Sequence, residues 1–300
     1  MMLRKPGERS FFKYANPSTV LAILRTKRVR YSSPLVFNDP FDLQSGLHCD
    51  FDISTLQEKV IDKLNEFASA TEPPVVDEAD PLGKIIKTVR EAYPTHGFPR
   101  EKLRLLTQNL FPLLSKTFEV IRTKYQEHWN KLLPGLRLFC VSEDRDNLLM
   151  WAHYAQDHTG AVFEFLSLPE EDNPLSVASP IEYVSSPPSF FTLNEVLDHM
   201  FSVRKLDEDT FYHRYPYYKS NHWIYEREWR VWYPGTPSPK ALYEDVLIRQ
   251  SEFASLYIGC KSEPDFITKA VSLTKSAFPN VRIYHAQKRD DEYKLGYTEI

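Results

Sequence analysis

Two glutamates and an arginine stand at alternate positions in residues 223–233, Trp-Ile-Tyr-Glu-Arg-Glu-Trp-Arg-Val-Trp-Tyr. The run is rich in aromatic and β-branched residues, which favours a strand, and Pro234-Gly235 closes it with a turn. On a strand, Glu226, Glu228 and Arg230 share one face while Tyr225, Arg227, Trp229 and Val231 share the other. Two carboxylates at that spacing sit roughly 7 Å apart and, at an effective dielectric of ~20, repel by about 2 kcal/mol. In an enclosed site this raises one carboxyl pKa by roughly a unit or more, which suits proton transfer, and Arg230 tempers the repulsion. The flanking aromatics form an edge that can stack on a planar ring. The same residues also suit a solvated strand face of alternating charge.

A second polar group is Phe37-Asn38-Asp39-Pro40-Phe41-Asp42, which reads as a tight turn with side-chain oxygens on nearby amides, pinned by two buried phenylalanine rings. Such a turn can hold a loop against a ligand. The oxygen-rich set Asp39, Asp42, His48, Asp50 and Asp52 also suits Mg²⁺ or Mn²⁺, which makes a metal-dependent hydrolase one alternative. His153 and His158 are five apart and do not share a helix face as a metal pair would.

Positioning these groups requires an α+β core. Strands are expected at 11–14, 28–33, 136–142, 160–165, 181–184, 243–249, 255–259, 281–285 and 293–298, with a helix capped by Asn16 and Pro17 and another over 264–278. From 50 to 134 the period becomes helical and no catalytic group stands out. The chain thus divides into a discontinuous core, 1–49 and 135–300, and a helical insertion or lid, 50–134.

Composition narrows the classes. Of 300 residues 42% are hydrophobic and 26% charged, as in ordinary globular proteins, and a net charge of −4 gives no case for non-specific nucleic-acid binding. No glycine-rich phosphate loop is present, which argues against P-loop and Rossmann sites. The three cysteines, Cys49, Cys140 and Cys260, are scattered and form no zinc or disulfide pattern. With no apolar leader or membrane-length run, a cytoplasmic location is expected.

Taken in order, Lys13-Tyr14, Ser32-Ser33-Pro34, Phe37 to Asp42, Ser142-Glu143, Met150-Trp151-Ala152-His153-Tyr154 with Gly160, and Trp223 with Tyr225-Glu226, Glu228-Trp229-Arg230 resemble a widespread bacterial domain-of-unknown-function family. The resemblance runs over the chain outside the helical insertion. At one remove, the layout is similar to the ADP-ribosyltransferase fold. That resemblance implies NAD as substrate, cleavage of its N-glycosidic bond, and transfer of ADP-ribose to an acceptor or to water. Tyr14 takes the early position, where the pattern has His or Arg, and Tyr154 the central one. Glu226 and Glu228 take the late pair. Glu228 is expected on the ribose 2′-hydroxyl and Glu226 on the attacking nucleophile. Trp151 and Tyr154 stack on nicotinamide, and Asn38, Asp39 and Arg230 complete the nucleotide site, without a metal. The setting implied is an NAD-consuming toxin or phage-defence effector. The rival from another class is a ligand-binding or sensor module without turnover on the same fold.

Overall fold

The structure, a computed structural model, describes residues 9–72, 75, 81–93, 99–207, 212–235 and 241–300. They form two compact units: 1–44 with 132–185 and 217–300, and 45–131 with 186–216.

The first unit is built on a mixed sheet of strands β1 (Arg9–Ala15), β2 (Arg28–Ser32), β3 (Leu136–Ser142), β4 (Ala161–Ser167), β5 (Ser179–Pro180), β8 (Glu228–Pro234), β9 (Tyr243–Leu247), β10 (Phe253–Ile258), β11 (Arg282–Lys288) and β12 (Leu295–Glu299). The main path runs β12-β11-β10-β4-β1-β3-β2-β9. Within this sheet, among the described residues, only β10 and β11 pair in parallel; β6 (Glu182–Val184) and β7 (Tyr218–Ser220) form a separate parallel pair.

Strand alternation sorts the side chains onto two faces. Phe11, Ala15, Ala161, Phe163, Phe165, Leu256 and Ile258 form one core with helices α1 (Pro17–Thr26) and α8 (Pro264–Ala277). Tyr14, Val162 and Tyr257 pack on the other face with Met150 and Trp151 of α6 (Leu148–His153). The start of α1 is set by Asn16, whose side chain accepts from Thr19 N, with Pro17 preset for the first turn.

The sheet branches at β3. One edge of β3 pairs along its whole length with β8, whereas β1 meets it only at Ser142 and β2 only at Leu138. Two strands that touch a third at separate points must part between them, and a cleft opens there.

The second unit is helical: α2 (Ile53–Ser69), α3 (Pro81–Ala92), α4 (Arg100–Thr107), α5 (Phe111–Leu132, whose last residue falls in the first unit) and α7 (Leu193–Met200). Leu56, Val60, Ile61 and Leu64 of α2 are buried, as are Leu82, Ile86 and Val89 of α3. Residues 186–216, which the sequence reading keeps with the core, cluster with these helices. Phe190 and Phe191 pack on Tyr125, and Phe201 packs edge-on against Phe67. No helix among the described residues is long and apolar enough to cross a membrane.

Two glycines permit a close backbone approach, Gly160 just before β4 and Gly259 just after β10. A Cβ on Gly160 would fall 2.1 Å from the Ala15 carbonyl oxygen, and one on Gly259 2.1 Å from that of His158. No rotamer change relieves a clash with backbone. Gly160→Ala is therefore expected to cost about 3 kcal/mol or more in urea unfolding. Gly296→Ala, whose nearest neighbour would be 3.9 Å away, should leave the midpoint near that of the wild type.

Candidate active site

The cleft is a cavity of about 430 Å³ within the first unit. Its walls come from Phe12, Lys13 and Tyr14 on β1, Arg30 and Ser32 on β2, and Leu138, Cys140 and Ser142 on β3. Asn38, Asp42, His153, Tyr154, Lys219, Glu226 and Glu228 complete it.

Glu226 and Glu228 reach the cavity by different backbone routes. The strand expected from residue 223 begins only at Glu228; residues 221–226 form a 3₁₀ turn instead. Tertiary hydrogen bonds override the β-favouring sequence. Asn147 Nδ2 donates to the Tyr225 carbonyl, Ser142 Oγ to that of Glu226, and Glu143 N to that of Arg227. Arg227 then turns left-handed (φ 44°), and Glu228 enters the ladder opposite Ser142. The Glu228 amide donates to the Tyr183 hydroxyl.

Both carboxylates nevertheless meet on one cation. Lys219 Nζ lies 2.5 Å from Glu226 Oε2 and 2.9 Å from Glu228 Oε2. The lysine is brought there by β7, which pairs with β6 in the register Tyr183↔Lys219. Arg230 is fully buried; it bonds Glu228 through Nε and grips both oxygens of Asp42 through its two terminal nitrogens. Asp42 thereby fastens the 38–42 turn to β8, 188 residues away in sequence. Tyr154 Oη donates to Glu226 Oε1, and Asn38 Nδ2 reaches Tyr154 Oη at 3.5 Å.

The electrostatic consequence is asymmetric. Three carboxylates, Asp42, Glu226 and Glu228, face two cations, Lys219 and Arg230, so full ionisation leaves one excess negative charge. Burial pushes the Glu226 carboxyl above its ordinary value, a trend that Lys219 only partly offsets. Burial acts on Glu228 in the same sense, but the charges of Arg230 and Lys219 outweigh it and hold this group below the usual carboxylate range. Tyr154 is pushed upward by burial and by the neighbouring Glu226 charge, which keeps its hydroxyl a donor.

The expected site residues divide accordingly. Glu226, Glu228, Tyr14, Tyr154 and Asn38 line the cavity, while Asp39, Trp151 and Arg230 do not. Tyr14 is nearly buried and donates to the Asp144 carbonyl, so it supports the wall rather than offering a free hydroxyl. Trp151, expected to stack on a ligand ring, is wholly buried edge-on to Tyr14, with its indole N–H on the Arg145 carbonyl. Asp39 caps its own turn by accepting from Phe41 N. That turn is not pinned by two buried rings, since Phe41 is 72% exposed; the Asp42–Arg230 pair holds it instead. The carboxylates of the oxygen-rich set have other partners. Asp42 is bound to Arg230, Asp52 caps α2, and Asp50 bonds Ser189. Among the described residues no three His, Cys, Asp or Glu side chains are arranged to hold a metal ion.

The residue that sequence reading missed is Lys219. It stands in the run Tyr215-Pro216-Tyr217-Tyr218-Lys219, with no spacing rule linking it to Glu226, and only the β6–β7 pairing brings it in.

Residues 150–231 match the family described as "Protein of unknown function (DUF2971)". The matched segment carries Tyr154, Lys219, Glu226, Glu228 and Arg230, whereas the cleft walls from β1 and β2 lie outside it. No curated protein and no solved structure matches the chain.

Proposed function

We propose that the cleft breaks the N-glycosidic bond of NAD, releasing nicotinamide and passing ADP-ribose to water or to an acceptor. One observation carries the reading: two carboxylates, Glu226 and Glu228, meet on Lys219 at the wall of one cavity, where burial pushes Glu226 upward and Arg230 with Lys219 holds Glu228 down. Such a separation assigns roles to a carboxylate pair. In the bond-breaking step the C1′–N electron pair leaves with the ring as neutral nicotinamide, and positive charge develops on the ribose. The one excess negative charge of the cluster stabilises it. Water or an acceptor hydroxyl then adds to C1′, and Glu226 takes the proton released.

Roles differ between the two glutamates because their partners differ. Arg230 and Lys219 occupy both oxygens of Glu228, which fits a fixed charge that orders the cluster. Glu226 is held by Lys219 on one oxygen and by Tyr154 on the other. Asn38, exposed at the rim beside Tyr154, is the turn residue free to meet a ribose or a carboxamide. The layout similar to ADP-ribosyltransferases supports NAD as the donor, and a toxin or phage-defence effector is the setting that such chemistry suits. A cavity of this volume falls in the ~300–1,000 Å³ range of small-molecule sites.

The full engagement of Glu228 also favours a second reading, a module that holds the nucleotide without turnover. The separating experiment is chromatographic detection of nicotinamide after incubation with NAD, alongside calorimetry with NAD. Release supports the enzyme, and binding without release supports the module. Neither binding nor release overturns the NAD reading altogether.

A further inference from the structure

Among the described residues three lysine or arginine side chains line the cavity, and two of them are neutralised. Arg30 pairs with Asp245 at 3.0 Å and lies over the Tyr243 ring, and Lys219 is held between Glu226 and Glu228. Lys13 differs. Its ammonium donates to the Cys140 carbonyl oxygen at 2.8 Å and sits 5.4 Å from the Phe139 ring centroid, and among the described residues no carboxylate comes within ion-pairing distance of it. An ammonium has three donors, so two remain for a ligand.

The position is also informative. Cys140 pairs with Arg230 on β8, two residues along from the pair formed by Ser142 and Glu228. The cavity therefore carries the carboxylates of Glu226 and Glu228 and, on the β1 side facing Cys140, a lysine with no ion-pair partner among the described residues.

We propose that Lys13 is the anion-binding residue of the cleft and that the natural ligand is a phosphorylated ribosyl compound. The choice of sugar rests on the ribosyl-transfer reading above, whereas the anion contact rests on Lys13 itself. A free lysine in a partly enclosed cavity favours phosphate strongly, since charge-assisted hydrogen bonds exceed neutral ones.

Calorimetry with ADP-ribose, inorganic pyrophosphate and adenosine tests this on wild type, Lys13→Ala, Lys13→Gln and Lys13→Arg, with thermal melting as the folding control. Wild type should bind both phosphate compounds and prefer ADP-ribose to adenosine. Lys13→Ala and Lys13→Gln should weaken both phosphate compounds by about ten- to a hundredfold, while Lys13→Arg should retain most of the affinity. The glutamine variant keeps the chain length, so a folding defect in the alanine variant leaves the test intact. Three results overturn the proposal: unchanged phosphate affinity in the folded variants, adenosine bound as well as ADP-ribose, or no phosphate binding by wild type. None of these measurements needs bond cleavage. Lys13-dependent phosphate binding without nicotinamide release would therefore sink the catalytic reading and leave the anion site standing.

Discussion

Glu226→Gln is expected to lower nicotinamide release from NAD by about 10²–10³-fold while leaving the protein folded. The amide keeps the shape of the side chain, can accept from Lys219 and can donate to the Tyr154 oxygen, but it cannot take the proton of an attacking nucleophile, and it removes the excess negative charge of the cluster. Lys219 keeps Glu228 at 2.9 Å and Asp42 at 3.7 Å, so it is not left as an orphaned buried cation. Stability should change little, and the sign follows from linkage. Burial raises the Glu226 pKa above its ordinary 4.5, so the folded state holds this proton more tightly than the unfolded chain. Stability associated with the protonated form is present below 4.5 and lost as pH rises through the raised value. Above that window the glutamine variant should melt at or slightly above the wild-type temperature. The wild-type rate should rise with pH along the same titration, and the variant's residual rate should be flat there. Equal rates for wild type and variant would remove Glu226 from the chemistry.

Much of the core was legible because its strands follow local rules. The alternation around Phe11, Tyr14, Val162 and Phe163, the cap at Asn16 and the proline starts at Pro17 and Pro264 are all set within a few residues. The cleft was harder to read because it arises where β1 and β2 part along β3, a consequence of pairing between distant segments. The pairing of Glu226 with Glu228 was visible as a spacing, but its geometry was not. The 3₁₀ turn at 221–226 depends on hydrogen bonds from Ser142, Glu143 and Asn147, about 80 residues upstream. Lys219 and Asp42 owe their places entirely to tertiary contacts. Trp151 is the converse case: an aromatic beside a site motif suggests a ligand contact, yet its burial and its indole hydrogen bond make it part of the wall's support.

Arg230→Met should have the largest effect on stability, about 3–5 kcal/mol, because it strips one cation from a buried network. Arg230 is wholly inaccessible, and its loss leaves Asp42, Glu226 and Glu228 around Lys219 alone. At about 2–4 °C per kcal/mol, melting should fall by roughly 6–20 °C. The acid profile should change as well. In the wild type, Glu228 is held below 4.5 by Arg230 and Lys219, so it contributes stability above 4.5 that is lost as pH falls toward the depressed value. Without Arg230, burial dominates, and that acid-side loss should shrink or reverse in urea midpoints measured across this window. Asp42→Asn in the Arg230→Met background should recover part of the loss, since it removes one of the carboxylates left unneutralised, and the double-mutant cycle gives the coupling between them. A variant that melts like the wild type would show that the cluster does not hold the cleft together. The coupling bears on function because Asp42 is the point at which the 38–42 turn is tied to β8. Releasing it should free Asn38 from Tyr154 and loosen the rim around Glu226, so ligand affinity should fall with melting temperature in the single variant and stay low in the double, where the tie is still missing and only the melting temperature recovers in part.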